Sequence, residues 1–262
     1  MPKKRTNSRQ FTTRDRAITA AALLVVGLAI FAFTRLQATH QRTRQTVDHQ
    51  PQIPAGPDSA RTDLPGKSEG AAAELGDDSV KLITQGNELL QRGQFDAAAE
   101  RFRAALKEDP DQEDVHFNLG ITLAKAGKKE EAKAEYLEAL RIYPEYAEAH
   151  NNLGNLLLAE NKLTEALAQF QAAIQASPES ASAHNNVGTV LAREGKLVES
   201  IPYFSEAIRL KPDYADARCN LGNAYLGQNR VEESVAEFQK VLRSHPDFKP
   251  ALKGLERART RQ

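Results

Sequence analysis

The sequence contains no tryptophan, one cysteine and one methionine in 262 residues, and its 35 basic and 35 acidic side chains leave no formal net charge. A single cysteine excludes an intramolecular disulfide framework and any cysteine-based zinc cluster within one chain. The absence of a basic surplus argues against a general nucleic-acid binder, so no nucleic-acid partner is expected. The sequence has no G-x-x-x-x-G-K-[ST] phosphate loop, no G-x-S-x-G nucleophile elbow and no H-E-x-x-H zinc motif. No enzymatic activity, cofactor or metal is expected.

The zero balance hides unlike segments. Residues 1–16 hold six basic residues (Lys3, Lys4, Arg5, Arg9, Arg14, Arg16) and one acid, and residues 17–34 hold no charge. Residues 77–248 hold 19 basic and 28 acidic side chains. The chain therefore reads as a cationic tail (1–16), an apolar plug (17–34), a linker (35–76) and an acidic body.

The plug, AITAAALLVVGLAIFAFT, would span roughly 27 Å as a helix at about 1.5 Å per residue. A bilayer core is roughly 30 Å thick. No polar face interrupts the run. A cleaved signal peptide has a shorter apolar region followed by small residues, whereas the best cleavage candidate here, after Ala38, has bulky Leu36 two residues before it. An uncleaved transmembrane signal-anchor is expected. Six basic residues precede it, and Arg35, Arg42 and Arg44 follow. The positive-inside bias then puts the N-terminus in the cytoplasm and the body on the far side, as in a bacterial inner-membrane protein facing the periplasm. In the linker, Pro51, Pro54, Pro57 and Pro65 alternate with Gly56, Gly66, Gly70 and Gly76. It buries too little to offset its chain entropy and reads as a disordered tether.

From residue 77 the sequence repeats itself. Pro110, Pro144, Pro178, Pro212 and Pro246 are spaced by 34 residues, as are Gly86, Gly120, Gly154, Gly188 and Gly222. Phe102, Tyr136, Phe170, Phe204 and Phe238 keep the same period. Within a copy, apolar residues recur at helical spacing: Val115, Leu119 and Leu123, then Ala132, Tyr136 and Ala139. Gly93, Gly127, Asn161, Gly195 and Asn229 fall between the two helical stretches and suit a left-handed turn residue. Each copy is expected to form a helix–turn–helix.

The pattern resembles the tetratricopeptide repeat (TPR) family, whose units read W-x2-L-G-x2-Y, then A-x3-F, then P on 34 residues. Here it runs as Leu153-Gly154 with Leu157, then Ala166-x3-Phe170, then Pro178. The usual tryptophan sites hold Leu82, His116, His150, His184 and Arg218. The resemblance implies an all-α right-handed solenoid with repeats at 77–110, 111–144, 145–178, 179–212 and 213–246. Residues 247–262 form a capping helix.

By the same resemblance, the first helix of each pair lines a concave groove that binds an extended peptide. Family positions carry over to Asp114, Phe117, Asn118, Ile121 and Lys125 in the second copy. They carry over to Glu148, Asn151, Asn152, Asn155 and Ala159 in the third, and to Ser182, Asn185, Asn186, Thr189 and Arg193 in the fourth. The fifth contributes Asp216, Cys219, Asn220, Asn223 and Gly227. Asn118, Asn152, Asn186 and Asn220 form a column at 34-residue spacing, similar to the asparagine ladder of O-GlcNAc transferase-type repeats. An amide both donates and accepts, so such a column could hold a peptide backbone; it could also bond neighbouring repeats. The acid excess favours a neutral or basic ligand. His116, His150 and His184 invite a metal reading, but packed helices lie about 10 Å apart and zinc needs its nitrogens near 2 Å. Packing residues are the better expectation. The expected function is a membrane-anchored interaction scaffold; the alternative is a chaperone-like or secretion accessory subunit that holds unfolded clients.

Overall fold

The computed structural model describes residues 77–261. The cationic tail, the expected membrane span at 17–34 and the tether lie outside the described residues. Among the described residues no helix is long and apolar enough to cross a membrane.

Eleven helices and no strand are present among the described residues. They pair as α1 (Asp77–Gln91) with α2 (Phe95–Glu108), α3 (Glu113–Lys125) with α4 (Lys129–Ile142), and α5 (Ala147–Ala159) with α6 (Leu163–Ala176). The pairs continue as α7 (Ala181–Arg193) with α8 (Leu197–Leu210) and α9 (Ala215–Gly227) with α10 (Val231–Ser244), and α11 (Lys249–Arg259) closes the array. The described residues form the expected all-helical array of stacked helical pairs.

The turn inside each pair is set by one residue. Gly127 has φ 81° and Asn161 has φ 60°, a left-handed conformation that costs most side chains energy. Around it, the Gly127 amide donates to the Ala124 carbonyl at 3.0 Å and the Lys128 amide to the Leu123 carbonyl at 2.9 Å. These bonds satisfy carbonyls that the end of α3 would otherwise leave unpaired.

The 34-residue ring column is the spine of the core. Phe102, Phe170, Phe204 and Phe238 are fully buried, with Tyr136 among them. Each buried ring contributes roughly 1.5–3 kcal/mol. The period glycine exists for that ring: a Cβ built on Gly154 would stand 2.6 Å from the Phe170 ring. Ala98, Ala132, Ala166, Ser200 and Ser234 are likewise fully buried, where second helices need small side chains.

Every helix packs on its sequence neighbour. First helices of successive repeats also touch: α1 with α3, α5 with α7, α7 with α9, and α9 with the capping α11, whereas no pair of second helices does so. The first helices are therefore the crowded, inner side of the array. The step with least inner contact is α3 to α5.

Candidate functional site

The inner wall is built from the same face of α3, α5, α7 and α9, and its asparagines are not equivalent. The Asn186 amide donates to Asn151 Oδ1 and to Asn155 Oδ1, both at 3.0 Å. The Asn220 amide donates to Asn185 Oδ1, also at 3.0 Å. Each bond joins one repeat to the one before it, across 35 or 31 residues. Counting back the same way from Asn152 reaches Phe117 and Ile121, neither of which accepts a hydrogen bond through its side chain. Asn152 instead meets the Tyr136 hydroxyl. Asn118 is 8% exposed, and its Oδ1 is buried without a partner. Asn223 accepts from the Arg257 guanidinium at 2.8 Å, which ties the capping helix to the fifth repeat.

The remaining expected residues divide in the same way. Lys125 and Arg193 are exposed, but the Arg193 guanidinium donates to the Leu158 carbonyl at 3.2 Å. Phe117, expected on the open wall, is only 1% exposed. Tyr146 covers it, with ring centroids 4.8 Å apart, and Tyr136 lies 5.9 Å away. Phe117 is thus a core side chain of the junction between the second and third repeats.

Tyrosines outside the expected groove set shape this wall. Tyr146 is the residue before α5, and its hydroxyl donates to Asp114 Oδ1 at 2.7 Å. Burial first, and then the Asp114 charge, push its ionisation far above the ordinary range. Tyr214 occupies the same place before α9; burial and the Asp216 carboxylate raise it to about 12. Beside Tyr146, Tyr143 is 44% exposed, with the two ring centroids 5.8 Å apart. Burial, followed by the charges of Glu145, Glu148 and Glu113, raises Tyr143 as well. The recurrence of Tyr146 at Tyr214, two repeats on, is the signal in the sequence that could have found them.

The residues at the tryptophan site form a second, outer column. His116 Nε2 donates to the Pro110 carbonyl at 3.0 Å, and Nδ1 meets Glu135 Oε2 at 2.7 Å. A carbonyl and a carboxylate can only accept, so the surroundings favour the form with a proton on both ring nitrogens. Burial pulls the His116 pKa down, but the Glu135 hydrogen bond, the Pro110 carbonyl and the charges of Glu135 and Glu138 outweigh it, and the net shift is upward. His150 repeats the geometry with Pro144 at 2.9 Å and the Gln169 amide at 2.7 Å. His184 keeps the bond to the Pro178 carbonyl at 3.0 Å, and Arg218 bonds the Pro212 carbonyl at 2.8 Å and Glu237 at 3.2 Å. His116, His150, His184 and Arg218 each tie down the carbonyl of the proline that closes the repeat before. Burial, and then Asp216, raise the Cys219 thiol to about 12, which keeps it protonated and unreactive at neutral pH.

The repeat geometry has counterparts among known proteins. A family model for the tetratricopeptide repeat matches residues 83–147, 123–181 and 151–215, and a second model for the same repeat matches 191–258. Among solved structures, the crystal structure of MamA protein is 25% identical with a TM-score of 0.57, covering 64% of this chain and 91% of that one. The crystal structure of YrrB, a TPR protein with an unusual peptide-binding site, is 25% identical with a TM-score of 0.57, covering 71% and 96%. PilF of Pseudomonas aeruginosa is 20% identical with a TM-score of 0.62, covering 71% and 89%. Comparison with curated protein sequences gave no match.

Proposed function

This chain belongs to the tetratricopeptide repeat family, and on that basis we propose that its inner wall holds an extended segment of a partner protein, with no chemistry of its own. The observation that carries this reading is the asparagine-lined face of the first helices, which crowd together on one side, with half-buried Asn152 outside the asparagine pairs between repeats. An array of amides at repeat spacing can match the regularly spaced donors and acceptors of an extended backbone. YrrB, a similar chain with a peptide-binding site, supports the same use of the fold here. With 28 acidic against 19 basic residues in 77–248, the segment bound is neutral or basic.

Residues 17–34 anchor this scaffold as a single membrane span, with the N-terminus in the cytoplasm and the repeats on the opposite face of a bacterial inner membrane. The charge asymmetry around the apolar run supports that orientation. A product cleaved after Ala38 and found free of membranes would reject the anchor.

The full chain carrying Asn152→Ala and Asn186→Ala tests the groove. It should keep its helical circular dichroism and co-purify much less of a stoichiometric partner than the wild type does. Unchanged recovery of that partner rejects the reading. Recovery of many unrelated unfolded chains instead favours a client-holding accessory.

A further inference from the structure

The junction of the second and third repeats differs from the others in charge, in ring content and in hydrogen-bonding capacity. Asp114, Glu145 and Glu148 are exposed there and Glu113 is half-buried. No ion pair among the described residues involves any of the four, although nearby Asp111 and Glu138 both pair with Arg141 at 2.7 Å. The exposed Tyr143 ring feels the charges of Glu145, Glu148 and Glu113 and is braced by Tyr146, which is in turn braced by Phe117. The carboxylates accept hydrogen bonds, and the aromatic face attracts cations.

The fold itself contains the filled version of this site. Two repeats on, 68 residues later, Glu145, Tyr146 and Glu148 become Asp213, Tyr214 and Asp216, while Tyr143 becomes Lys211. There the Lys211 ammonium lies 5.0 Å from the Tyr214 ring centroid. The fifth repeat thus places its own cation at its tyrosine ring. The third repeat has the tyrosine and the acids, but a second aromatic ring in place of the lysine.

We infer that the junction of the second and third repeats is the anchor point of the groove and takes a cationic side chain, lysine or arginine, from the bound segment. This rests on the groove reading above and adds a register to it: the cation of the partner sits against Tyr143 and Glu148, beside Asn152. An ammonium or guanidinium is donor-only and is held at an aromatic face more strongly when carboxylates surround it.

The test uses the full chain in neutral detergent and two synthetic dodecapeptides of glycine, serine and threonine. One carries a single central lysine, and the other carries Nε-acetyl-lysine at that position. Calorimetry at low salt should show the lysine peptide binding about tenfold more tightly. Tyr143→Lys should remove this preference by filling the site from within, as Lys211 does, and Glu148→Gln should reduce it severalfold. Both positions are exposed, so circular dichroism should be unchanged. Asp213→Asn, at the already filled junction, should leave the preference intact. Equal binding of both peptides overturns the cation anchor and leaves the groove standing, whereas binding of neither overturns both. A preference that survives Tyr143→Lys, or that Asp213→Asn also erases, shows general acidity rather than a site and overturns the anchor.

Discussion

Two junctions of one array, built from the same 34-residue unit, are held together in different ways. Between the third and fourth repeats the inner wall is riveted by amides, Asn186 to Asn151 and Asn155. Between the second and third it is filled by rings, Phe117 under Tyr146, with Asn152 and Asn118 left out of any such amide pairing between repeats. A column that looks uniform in sequence therefore has two jobs. In the C-terminal half its amide donors bond asparagines of the repeat before, and at Asn152 the amide meets the Tyr136 hydroxyl instead. What decides is not the asparagine itself but the residue that lies 35 positions earlier.

The largest effect should come from the ring-filled junction. Phe117→Ala should cost about 3–5 kcal/mol, because it deletes a fully buried ring that Tyr146 covers. Urea unfolding measures the loss, and hydrogen exchange should place it in α3 and α5. A cost near zero would mean that the rings do not hold this junction. The amide junction should respond next. Asn186→Ala leaves two acceptors without their donor and should cost about 1–3 kcal/mol. Asn152→Ala loses one bond, to the Tyr136 hydroxyl, where Asn186→Ala loses two, and should cost less. Equal costs would erase the contrast between the junctions.

The smallest effect concerns the outer column, where His116 faces a carboxylate and a carbonyl. Its folded pKa lies above the unfolded value. Its contribution to stability is therefore fully present below about pH 6.5 and is lost as pH rises through the folded value. Unfolding free energy of the wild type should fall over that interval, and His116→Gln should flatten the slope. An unchanged slope in the variant would show that Glu135 and Pro110 do not hold a proton on the ring.

Much of this fold is legible in the residues alone. The 34-residue spacing of proline, glycine and the aromatic ring announces the helical pairs, because each of those residues has one steric job per unit. The turn positions Gly127 and Asn161 are readable for the same reason. The histidines at the tryptophan site read as packing residues, but their bonds to Pro110, Pro144 and Pro178 do not show, since a carbonyl leaves no mark in a sequence. The split of the asparagine column is hidden because it depends on contacts between repeats. Those contacts pair residues 31 and 35 apart, and the eye follows the 34-residue period instead. Phe117 looks like a wall residue by position and proves to be core, because Tyr146 from the next repeat folds over it. The 17–34 span, its orientation and the tether lie outside the described residues and remain proposals.

Everything functional turns on the first-helix face, and not the outer face, receiving a partner's chain. A photo-crosslinking residue placed at Asn152 in the full-length protein in cells tests this, with the same residue at Val198 on α8, 71% exposed, as the comparison. Adducts at position 152 should map by mass spectrometry to one contiguous segment of one partner, with a lysine or arginine close to the attachment point. Adducts at position 198 should not share that segment. The same segment captured equally from both positions, or captured from 198 alone, would contradict a groove on the inner wall.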